Sequence, residues 1–453
     1  MREILSPNLI QLAYSLPCPL YVVGGKVRDY IAGYGPSEDT DICAPMDASV
    51  FAEYAQKAGY TISRAFKNTG TLKIRRGEED YEFSSFRTDT YVRGTHRPEE
   101  SFFTQDIMLD ARRRDFKCNA VYYDIKSDSY TDPLGGLEDI KNRVMDTVVS
   151  AEKVFSEDGL RLMRLARMAA QTGFEPSAET LAGARRNASL IKDIAAERIW
   201  AELEKILHAD AAHGIQYAQY NGLKILDDTR VLDEILPELT LGRGIEQRHD
   251  FHDHDVLEHS LRCVKYSDPG IRLAALLHDC AKPYCFVSSG NFHGHDKEGM
   301  RIAHEICLRL KVPSRLTSET VRLVGAHMFN IRGDARPAKV KRYVMENQDI
   351  LDKVILLMQA DFSACKDNLS PAPASVALTE FRAQMMADGL PLSLKDLAVK
   401  GGDLAAAGFP PESIGGVLDK LLEDSAIQGF ANTKDVLMER ALRIYLPKVT
   451  GQE

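Results

Sequence analysis

Two acidic residues and a pair of glycines near the N-terminus have the types and spacing that phosphoryl-transfer chemistry needs. Asp39 and Asp41 are two residues apart, and Gly24-Gly25 precedes them by about one helix and one turn of chain. Residues two apart on a strand face the same side, about 7 Å from each other, and two such carboxylates can hold divalent ions about 3.5–4 Å apart. Glycines let the backbone approach a triphosphate, and a helix N-terminus offers N–H groups to it. The combination indicates nucleotidyl transfer.

Strands and helices must alternate around these residues. Residues 20–23 predict a short buried strand, and residues 26–31 predict the helix that follows the glycine turn. Further β-type segments are predicted at 60–62, 71–74, 81–83 and 121–123, and the pattern becomes helical from about residue 150. We therefore predict an α+β fold, with a mixed sheet and helices at the N-terminus and an all-helical remainder.

Composition divides the chain further. Residues 246–330 contain nine of the twelve histidines, and Ser370-Pro371-Ala372-Pro373 reads as a linker. We expect domains at 1–149, 150–245, 246–370 and 371–453. The length of 453 residues suits several domains.

Three further groups in the first 120 residues could serve a nucleotide site. Alternation along strand 81–83 could aim Glu82 beside the aspartates, as a base for the attacking hydroxyl or a further metal ligand; a salt-bridged strand glutamate is the alternative. Arg114 can pair with phosphate, and Asp115 can accept from a ribose hydroxyl. Asn119 follows them.

The order of these motifs resembles a known family. The segments Gly24-Gly25-Lys26-Val27-Arg28-Asp29, Asp39-x-Asp41, Arg113-Arg114-Asp115, Glu157-Asp158-x-x-Arg161 and Glu197-Arg198 are similar to those of class II CCA-adding tRNA nucleotidyltransferases and bacterial poly(A) polymerases. The resemblance implies a polymerase-β-type head followed by helical neck, body and tail, the tail a tRNA contact. It also implies a Mg²⁺-dependent reaction in which the tRNA 3′-hydroxyl attacks the α-phosphate of CTP or ATP and pyrophosphate leaves.

The family motifs assign residues by position. Asp39 and Asp41 match the metal ligands, which with Glu82 form the expected catalytic group. The expected nucleotide-binding residues are Gly24, Gly25, Lys26, Arg28, Arg114, Asp115, Asn119, Asp158, Arg161 and Arg164. Gly159 departs from the family, which often has proline there, and Lys26 replaces a residue that is commonly small.

Asp158 and Arg161 offer a physical basis for base choice. Three residues apart on a helix, they would share a face. Cytosine and adenine both present an exocyclic amine beside an unprotonated ring nitrogen, so a carboxylate can accept from the amine while a guanidinium donates to the nitrogen. Guanine and uracil reverse this pattern, and each mismatched buried group costs about 1–3 kcal/mol. An ordinary helix ion pair is the alternative reading.

The extent of addition is harder to predict. Residues 91–98, within the stretch from Asp89 to Asp106, resemble the flexible loop of full CCA-adding enzymes. We therefore expect all three additions, with poly(A) polymerase or A-adding activity as the alternative.

The histidine-rich region contains an ordered set of possible metal ligands. His278-Asp279 ends a buried apolar run, where an uncompensated charge would be costly. With the residues around it, this pair resembles the HD-domain metal-dependent phosphohydrolases. Matching that motif, His259, His278, Asp279 and Asp361 would bind one ion, and His295 and His327 a second. The ligand set suits a divalent transition metal or Mg²⁺. His249, His252 and His254 are interpreted as surface groups or supports of the ligands.

Charge and cysteine usage limit the remaining possibilities. A net charge of −9 argues against nonspecific adhesion to nucleic acid. The eight cysteines form no C-x-x-C pair, and no apolar run is long enough for a membrane span. We expect reduced thiols, a cytoplasmic location and no membrane partner; the partners would be the tRNA 3′ end, CTP and ATP. The oligomeric state is not predictable. A phosphohydrolase with a non-catalytic nucleotide- or RNA-binding head, and an RNA-binding scaffold with both sites inactive, are the alternatives.

Overall fold

The computed structural model describes residues 1–35, 39–66, 69–90, 100–329 and 334–446. The chain divides into two compact units. The N-terminal unit comprises Met1–Thr240 with Arg309–Val312, and the C-terminal unit comprises Leu241–Leu308 with Pro313–Glu453. The division into four domains stays a proposal.

A mixed sheet forms the centre of the N-terminal unit. Seven strands pair in the order β3-β4-β5-β2-β1-β8-β9 among the described residues. Only β2 and β5 are parallel neighbours within it. Two pairs lie outside this sheet, β6 with β7 and β10 with β11. The strands are β1 Tyr21–Val23, β2 Asp41–Ala44, β3 Thr61–Phe66, β4 Thr71–Arg76, β5 Glu79–Ser85, β6 Arg87–Thr90, β7 Glu100–Phe103, β8 Tyr122–Asp124, β9 Ser129–Thr131, β10 Val144–Met145 and β11 Glu175–Pro176.

Helices surround the sheet and then replace strands almost entirely. Up to residue 240 they are α1 Pro7–Ser15, α2 Gly25–Ile31, α3 Ala48–Lys57, α4 Ile107–Arg112, α5 Gly136–Asn142, α6 Ala151–Glu157, α7 Leu160–Thr172, α8 Ala178–Arg186, α9 Ala196–Leu207, α10 Asp210–His213, α11 Ala218–Asp228, α12 Val231–Ile235 and α13 Pro237–Thr240, with short 3₁₀ helices at Arg2–Ile4, Lys117–Asn119 and Ala188–Asp193. The mixed sheet followed by helices confirms the predicted α+β class.

From residue 256 onward the described chain is helical. The elements are α14 Val256–Tyr266, α15 Arg272–Leu277, α16 Lys282–Ser289, α17 His295–Arg309, α18 Ser314–Ala326, α19 Pro337–Glu346, α20 Leu351–Lys366, α21 Pro373–Ala387, α22 Gly401–Ala406, α23 Pro411–Ala426 and α24 Lys434–Arg440, with a 3₁₀ helix at Pro269–Ile271 and a π-helical turn at Ala441–Tyr445. Within the described ranges, no helix is both long and apolar enough to cross a membrane.

Local sequence explains where key elements begin. Ser6 caps α1 by accepting from the Leu9 amide at 3.0 Å, and Asp255 caps α14 by accepting from the Glu258 amide at 2.7 Å. The apolar face of α14 then packs against α15 and α20. These helices hold the histidine-rich centre, whereas β1, β2 and β5 hold the acidic one.

Candidate active sites

Three carboxylates lie close together at the start of β2, an internal strand of the sheet. Asp41 begins β2 and stands directly opposite Glu82 in the parallel register with β5. Asp39 lies just before the strand rather than within it, although the Glu82 amide donates to the Thr40 carbonyl at 3.3 Å and extends the pairing. Desolvation by nearby protein atoms and then the Glu82 carboxylate raise the pKa of Asp41 to about 6, with Asp39 acting in the same direction, although Asp41 remains exposed to the cleft. Clustered carboxylate oxygens that repel one another suit divalent cations.

The glycine turn closes against this acidic group. Gly24 has φ 82° and ψ −146°, a conformation available essentially only to glycine. A Cβ on Gly24 would lie 3.1 Å from Asp41 Oδ2. Lys26 Nζ donates to Thr40 Oγ1 at 2.7 Å, which ties the start of α2 to β2. The turn therefore lies directly beside the carboxylates, and a side chain at Gly24 would intrude on them.

A buried polar chain joins four of the predicted nucleotide-binding residues. Arg28 donates to Asn119 Oδ1 at 2.8 Å, and Asn119 donates to Asp115 Oδ1 at 3.2 Å. Arg164 donates twice to Asp115 Oδ2, at 2.9 and 2.7 Å. Burial would raise the pKa of Asp115, but Arg164 outweighs it and holds the pKa well below its usual range. Asp115 is therefore an ionised, fixed acceptor on the wall of the cleft.

Arg114 is held by a residue that sequence reasoning missed. Its guanidinium lies 3.1 Å from Asp110 Oδ2 and donates to the Tyr122 hydroxyl at 3.1 Å. Asp110 is fully buried, and it also pairs with Arg113 at 2.7 Å. Burial raises its pKa, but Arg113 and Arg114 outweigh this and lower it to about 2. The spacing of Asp110 from Arg113 and Arg114, three and four residues, was the available signal.

The prediction that Asp158 and Arg161 share a helix face is wrong. α6 ends at Glu157 and α7 begins at Leu160, while Asp158 has extended φ and ψ of −144° and 105°. At this break the Leu190 carbonyl packs closely against Gly159, where a Cβ would lie 2.6 Å from the carbonyl oxygen. The two side chains nevertheless line the same cleft.

Backbone contacts orient both of these side chains. Asp158 Oδ1 accepts from the Leu160 amide at 2.9 Å. Arg161 donates to the carbonyls of Val154 at 3.0 Å and Arg113 at 2.7 Å. Burial raises the pKa of Asp158 to about 6, although Arg161 opposes the shift. The result is a carboxyl and a guanidinium, each held in place at the cleft wall.

One open cleft of about 1870 Å³ brings all of these residues together. Every predicted catalytic and nucleotide-binding residue lines it. The same cleft is lined by residues that sequence reasoning did not assign to the site. Arg167 pairs with Glu202 at 2.6 Å, and the rings of Tyr34 and His213 stack 4.3 Å apart. The loop predicted at 91–98 lies outside the described residues, but its flanks β6 and β7 pair as an antiparallel hairpin.

The six predicted ligands of the histidine-rich region converge in the C-terminal unit. His259 Nε2 lies 2.9 Å from Asp361 Oδ1, and His278 Nε2 lies 3.2 Å from Asp279 Oδ2. The other oxygen of Asp279 faces His295 Nε2 at 3.3 Å and His327 Nε2 at 3.8 Å. Asp279 thus presents one oxygen to each of two groups of ligands, the arrangement expected of a carboxylate that bridges two divalent ions.

Two features of this centre suit the binding of cations. Neither oxygen of buried Asp279 accepts a hydrogen bond of regular geometry from the described residues. His278, His295 and His327 each have Nδ1 close to a backbone carbonyl, those of Ala275, Phe292 and Val324, at 2.7–2.8 Å. That contact fixes the ring so that Nε2 points into the centre, the usual support of a ligating histidine. The residues therefore fit divalent metal ions.

Lys282 is a further member of this centre that sequence reasoning missed. It is buried, and its Nζ lies 2.6 Å from Asp279 Oδ2 and donates to Gln247 Oε1 at 2.7 Å. Burial would raise the pKa of Asp279, but His278 and Lys282 outweigh it and hold the pKa well below its usual range. The spacing of three residues from Asp279 was the only signal in the sequence.

Comparisons with known families match three parts of the chain. A family model described as the poly A polymerase head domain matches residues 20–146. One described as a probable RNA- and SrmB-binding site of polymerase A matches residues 173–241, and one described as the HD domain matches residues 256–361.

Curated relatives extend over most of the chain. An A-adding tRNA nucleotidyltransferase of Deinococcus radiodurans is 31% identical over 384 residues, covering 81% of this chain and 80% of the relative. A multifunctional CCA protein of Tolumonas auensis is 28% identical over 365 residues, covering 76% of this chain and 84% of the relative.

Solved structures share the fold. A Bacillus stearothermophilus CCA-adding enzyme in complex with CTP aligns with a TM-score of 0.65 and 22% identity, covering 97% of this chain and 98% of that one. A Thermotoga maritima CCA-adding enzyme complexed with tRNA aligns with a TM-score of 0.57 and 17% identity, covering 96% of each chain.

Proposed function

Because the chain belongs to the family of tRNA nucleotidyltransferases and poly(A) polymerases, we propose that this nucleotidyltransferase adds C, C and A to the 3′ end of tRNA from CTP and ATP. The observation that carries the proposal is the strand register that places Asp41 beside Glu82 in a cleft shared with Asp158 and Arg161. The names of the curated relatives and structural neighbours support the substrates.

The acidic group would perform the chemistry. Asp39 and Asp41 would hold Mg²⁺, which neutralises charge on the transferring phosphate and activates the attacking hydroxyl. Glu82, beside Asp41, is the proposed acceptor of the hydroxyl proton. Arg114, fixed by Asp110, would pair with a phosphate oxygen, and Asp115 would accept from the ribose.

Base choice would rest on the two oriented groups at the helix break. The Asp158 carboxylate would accept from the exocyclic amine of cytosine or adenine, and the Arg161 guanidinium would donate to the adjacent ring nitrogen. Contacts to three carbonyl or carboxylate groups hold Arg161 in place, so it cannot readily turn to suit uracil or guanine. Arg164, fixed by Asp115, is the proposed assisting donor.

Nucleotide incorporation into defined tRNA ends tests this function. Labelled CTP and ATP are supplied to transcripts that lack CCA and to transcripts that end in CC. Successive addition of C, C and A to the first transcript is the expected result. Addition of A to the CC end alone would assign A-adding activity, and a long A tract would assign poly(A) polymerase activity. The wild-type protein should incorporate only C and A. Replacing Asp158 by Asn should reduce its discrimination against UTP by about 10- to 100-fold.

A second activity is proposed for the C-terminal unit, on the buried cluster around Asp279. We infer that it is a metal-dependent phosphohydrolase acting on terminal or 2′,3′-cyclic phosphates of tRNA ends. His259, His278, Asp279 and Asp361 would hold one divalent ion, a transition metal or Mg²⁺, and His295 and His327 would hold a second. The bound ions would supply a hydroxide nucleophile. Incubation with 2′,3′-cyclic nucleotides and Mn²⁺, Ni²⁺ or Mg²⁺ tests it, and no product with any metal contradicts it. The cytoplasmic location stays a prediction.

A further inference from the structure

One histidine of the Asp279 centre is supported differently from the others. His278, His295 and His327 each have Nδ1 beside a backbone carbonyl. His259 is fully buried, yet its Nδ1 has no hydrogen-bond partner in the described part of the chain. Its Nε2 is the atom that faces Asp361 and His278. Because Nε2 is taken up by these contacts, Nδ1 of His259 is the ring nitrogen left for a contact outside the centre.

Two further donor side chains meet His259. The ring of His252 stands edge-on to that of His259, with centroids 4.9 Å apart, and its own Nδ1 is buried and without a hydrogen-bond partner among the described residues. Donor atoms of His252, His259 and Cys365 all lie within 4.8 Å of one another. The Asp253 amide donates to the Cys365 carbonyl at 3.0 Å, which fastens the segment carrying His252 to α20.

We propose that His252, Cys365 and Nδ1 of His259 bind a third, thiophilic divalent ion beside the Asp279 centre. Two imidazoles and a thiolate are a donor set that Zn²⁺ prefers, whereas the adjoining centre combines imidazoles with carboxylates. Three protein ligands leave one position for water. Binding releases the thiol proton of Cys365 to solvent. Neutral His259 keeps its Nε2 proton toward the Asp361 carboxylate and offers the lone pair of Nδ1 to the ion.

The competing explanation is a buried water that bridges the same three groups. A water needs two to four polar partners, and the two orphaned ring nitrogens would supply them. The two explanations differ in the protonation state of Cys365. In the structure its thiol donates to the Asp361 carbonyl at 3.3 Å, and a bridging water would leave it protonated. Only a cation converts that thiol to a thiolate ligand.

Cobalt loading of the full chain separates the two explanations. The protein is stripped with a chelator, loaded with Co²⁺ alone and desalted, and the near-ultraviolet spectrum and bound metal are measured. Wild type should show thiolate-to-cobalt charge-transfer absorption. Cys365→Ser and His252→Asn should lose this band and bind one equivalent less. Two matched controls should retain both: Cys18→Ser, another half-buried thiol, and His249→Asn, an exposed histidine of the same segment.

The test compares the equivalents of Co²⁺ bound by wild type and by each variant. Ions bound elsewhere in the chain contribute equally to both and do not affect the difference. The difference of one equivalent therefore reports this site even if the Asp279 centre loads no metal and its phosphohydrolase proposal fails. A wild-type protein without a thiolate band overturns the third site, with no variant needed. A Cys365→Ser protein that binds as much Co²⁺ as wild type overturns it as well.

Discussion

The two acidic centres of this chain differ in how the negative charge of their carboxylates is compensated. In the cleft, strand register sets Asp41 against Glu82, and the pKa of Asp41 rises to about 6. In the helical centre, Asp279 is surrounded by imidazoles and Lys282, and its pKa falls well below the usual range. The cleft thus leaves its charge to be neutralised by ions from solvent. The helical centre compensates its charge with its own side chains, so its folding depends less on metal.

The largest expected effect separates chemistry from folding in the cleft. Asp41→Asn should reduce nucleotide addition at least about 1000-fold, because a metal ligand is lost. Its thermal midpoint without divalent ions should not fall, because the amide removes repulsion with Glu82. Differential scanning calorimetry and single-turnover incorporation measure the two effects. Glu78→Gln, on the exposed rim of the same cleft, should leave both unchanged, and phosphohydrolase activity should survive in Asp41→Asn. Joint loss of both activities in a folded protein would contradict the two-centre description.

The equivalent change in the helical centre should affect folding as well. Asp279→Asn leaves Lys282 buried without its carboxylate partner, which typically costs about 3–5 kcal/mol of unfolding free energy. Adding Lys282→Met should recover part of that stability while metal binding stays lost. Denaturant titration and metal analysis of the single and double variants measure this. If Asp279→Asn were as stable as wild type, the proposed difference between the two centres would be contradicted. Nucleotide addition by the double variant is the control that shows the N-terminal unit is intact.

Local sequence patterns predicted the secondary-structure elements and side chains of both sites better than the long-range contacts that bring them together. The strand, the glycine turn and the helix at residues 20–31 follow from short-range propensity and lie where expected. Alternation fixed the face on which Glu82 lies, but its register with Asp41 depends on pairing between strands far apart in sequence. The metal centre was predicted because His278-Asp279 ends a buried apolar run, where an uncompensated charge is costly, and because the ordered histidines and aspartates resemble the HD-domain motif.

Long-range contacts account for what the sequence did not reveal. The break at Asp158 coincides with a close approach to Gly159 by Leu190, some thirty residues later in the chain. Asp110 and Lys282 look like surface charges in sequence, and only tertiary burial makes them supports of Arg114 and Asp279. The three-residue spacing of Asp158 and Arg161 favoured a helix that includes both, but α7 begins only at Leu160.

A pH profile sharpens the comparison through the raised pKa values in the cleft. Asp41 and Asp158 both have a pKa of about 6, so each is ionised above that pH and protonated below it. Both roles need the carboxylate, so kcat/KM for addition should fall about tenfold or more for each pH unit below 6 when Mg²⁺ is limiting, because bound metal would keep Asp41 ionised. Asp158→Asn should make the acid limb less steep, since one titrating group is removed. A flat wild-type profile from about pH 5 to 7 would contradict ionisation near 6.

The smallest expected effect concerns Gly159, which lies at the break between α6 and α7. Gly159→Ala forces a Cβ to within 2.6 Å of the Leu190 carbonyl oxygen, so the segment must shift and carry Asp158 with it. We expect a loss of about 1–3 kcal/mol in unfolding free energy and a several-fold rise in KM for CTP and ATP, with KM for tRNA unchanged. Gly415→Ala is the control, because that helical glycine faces open space. Alanine there should raise the unfolding free energy by about 0.5–1 kcal/mol. If Gly159→Ala matched wild type in stability and in both nucleotide KM values, the close approach of Leu190 would not be what positions Asp158.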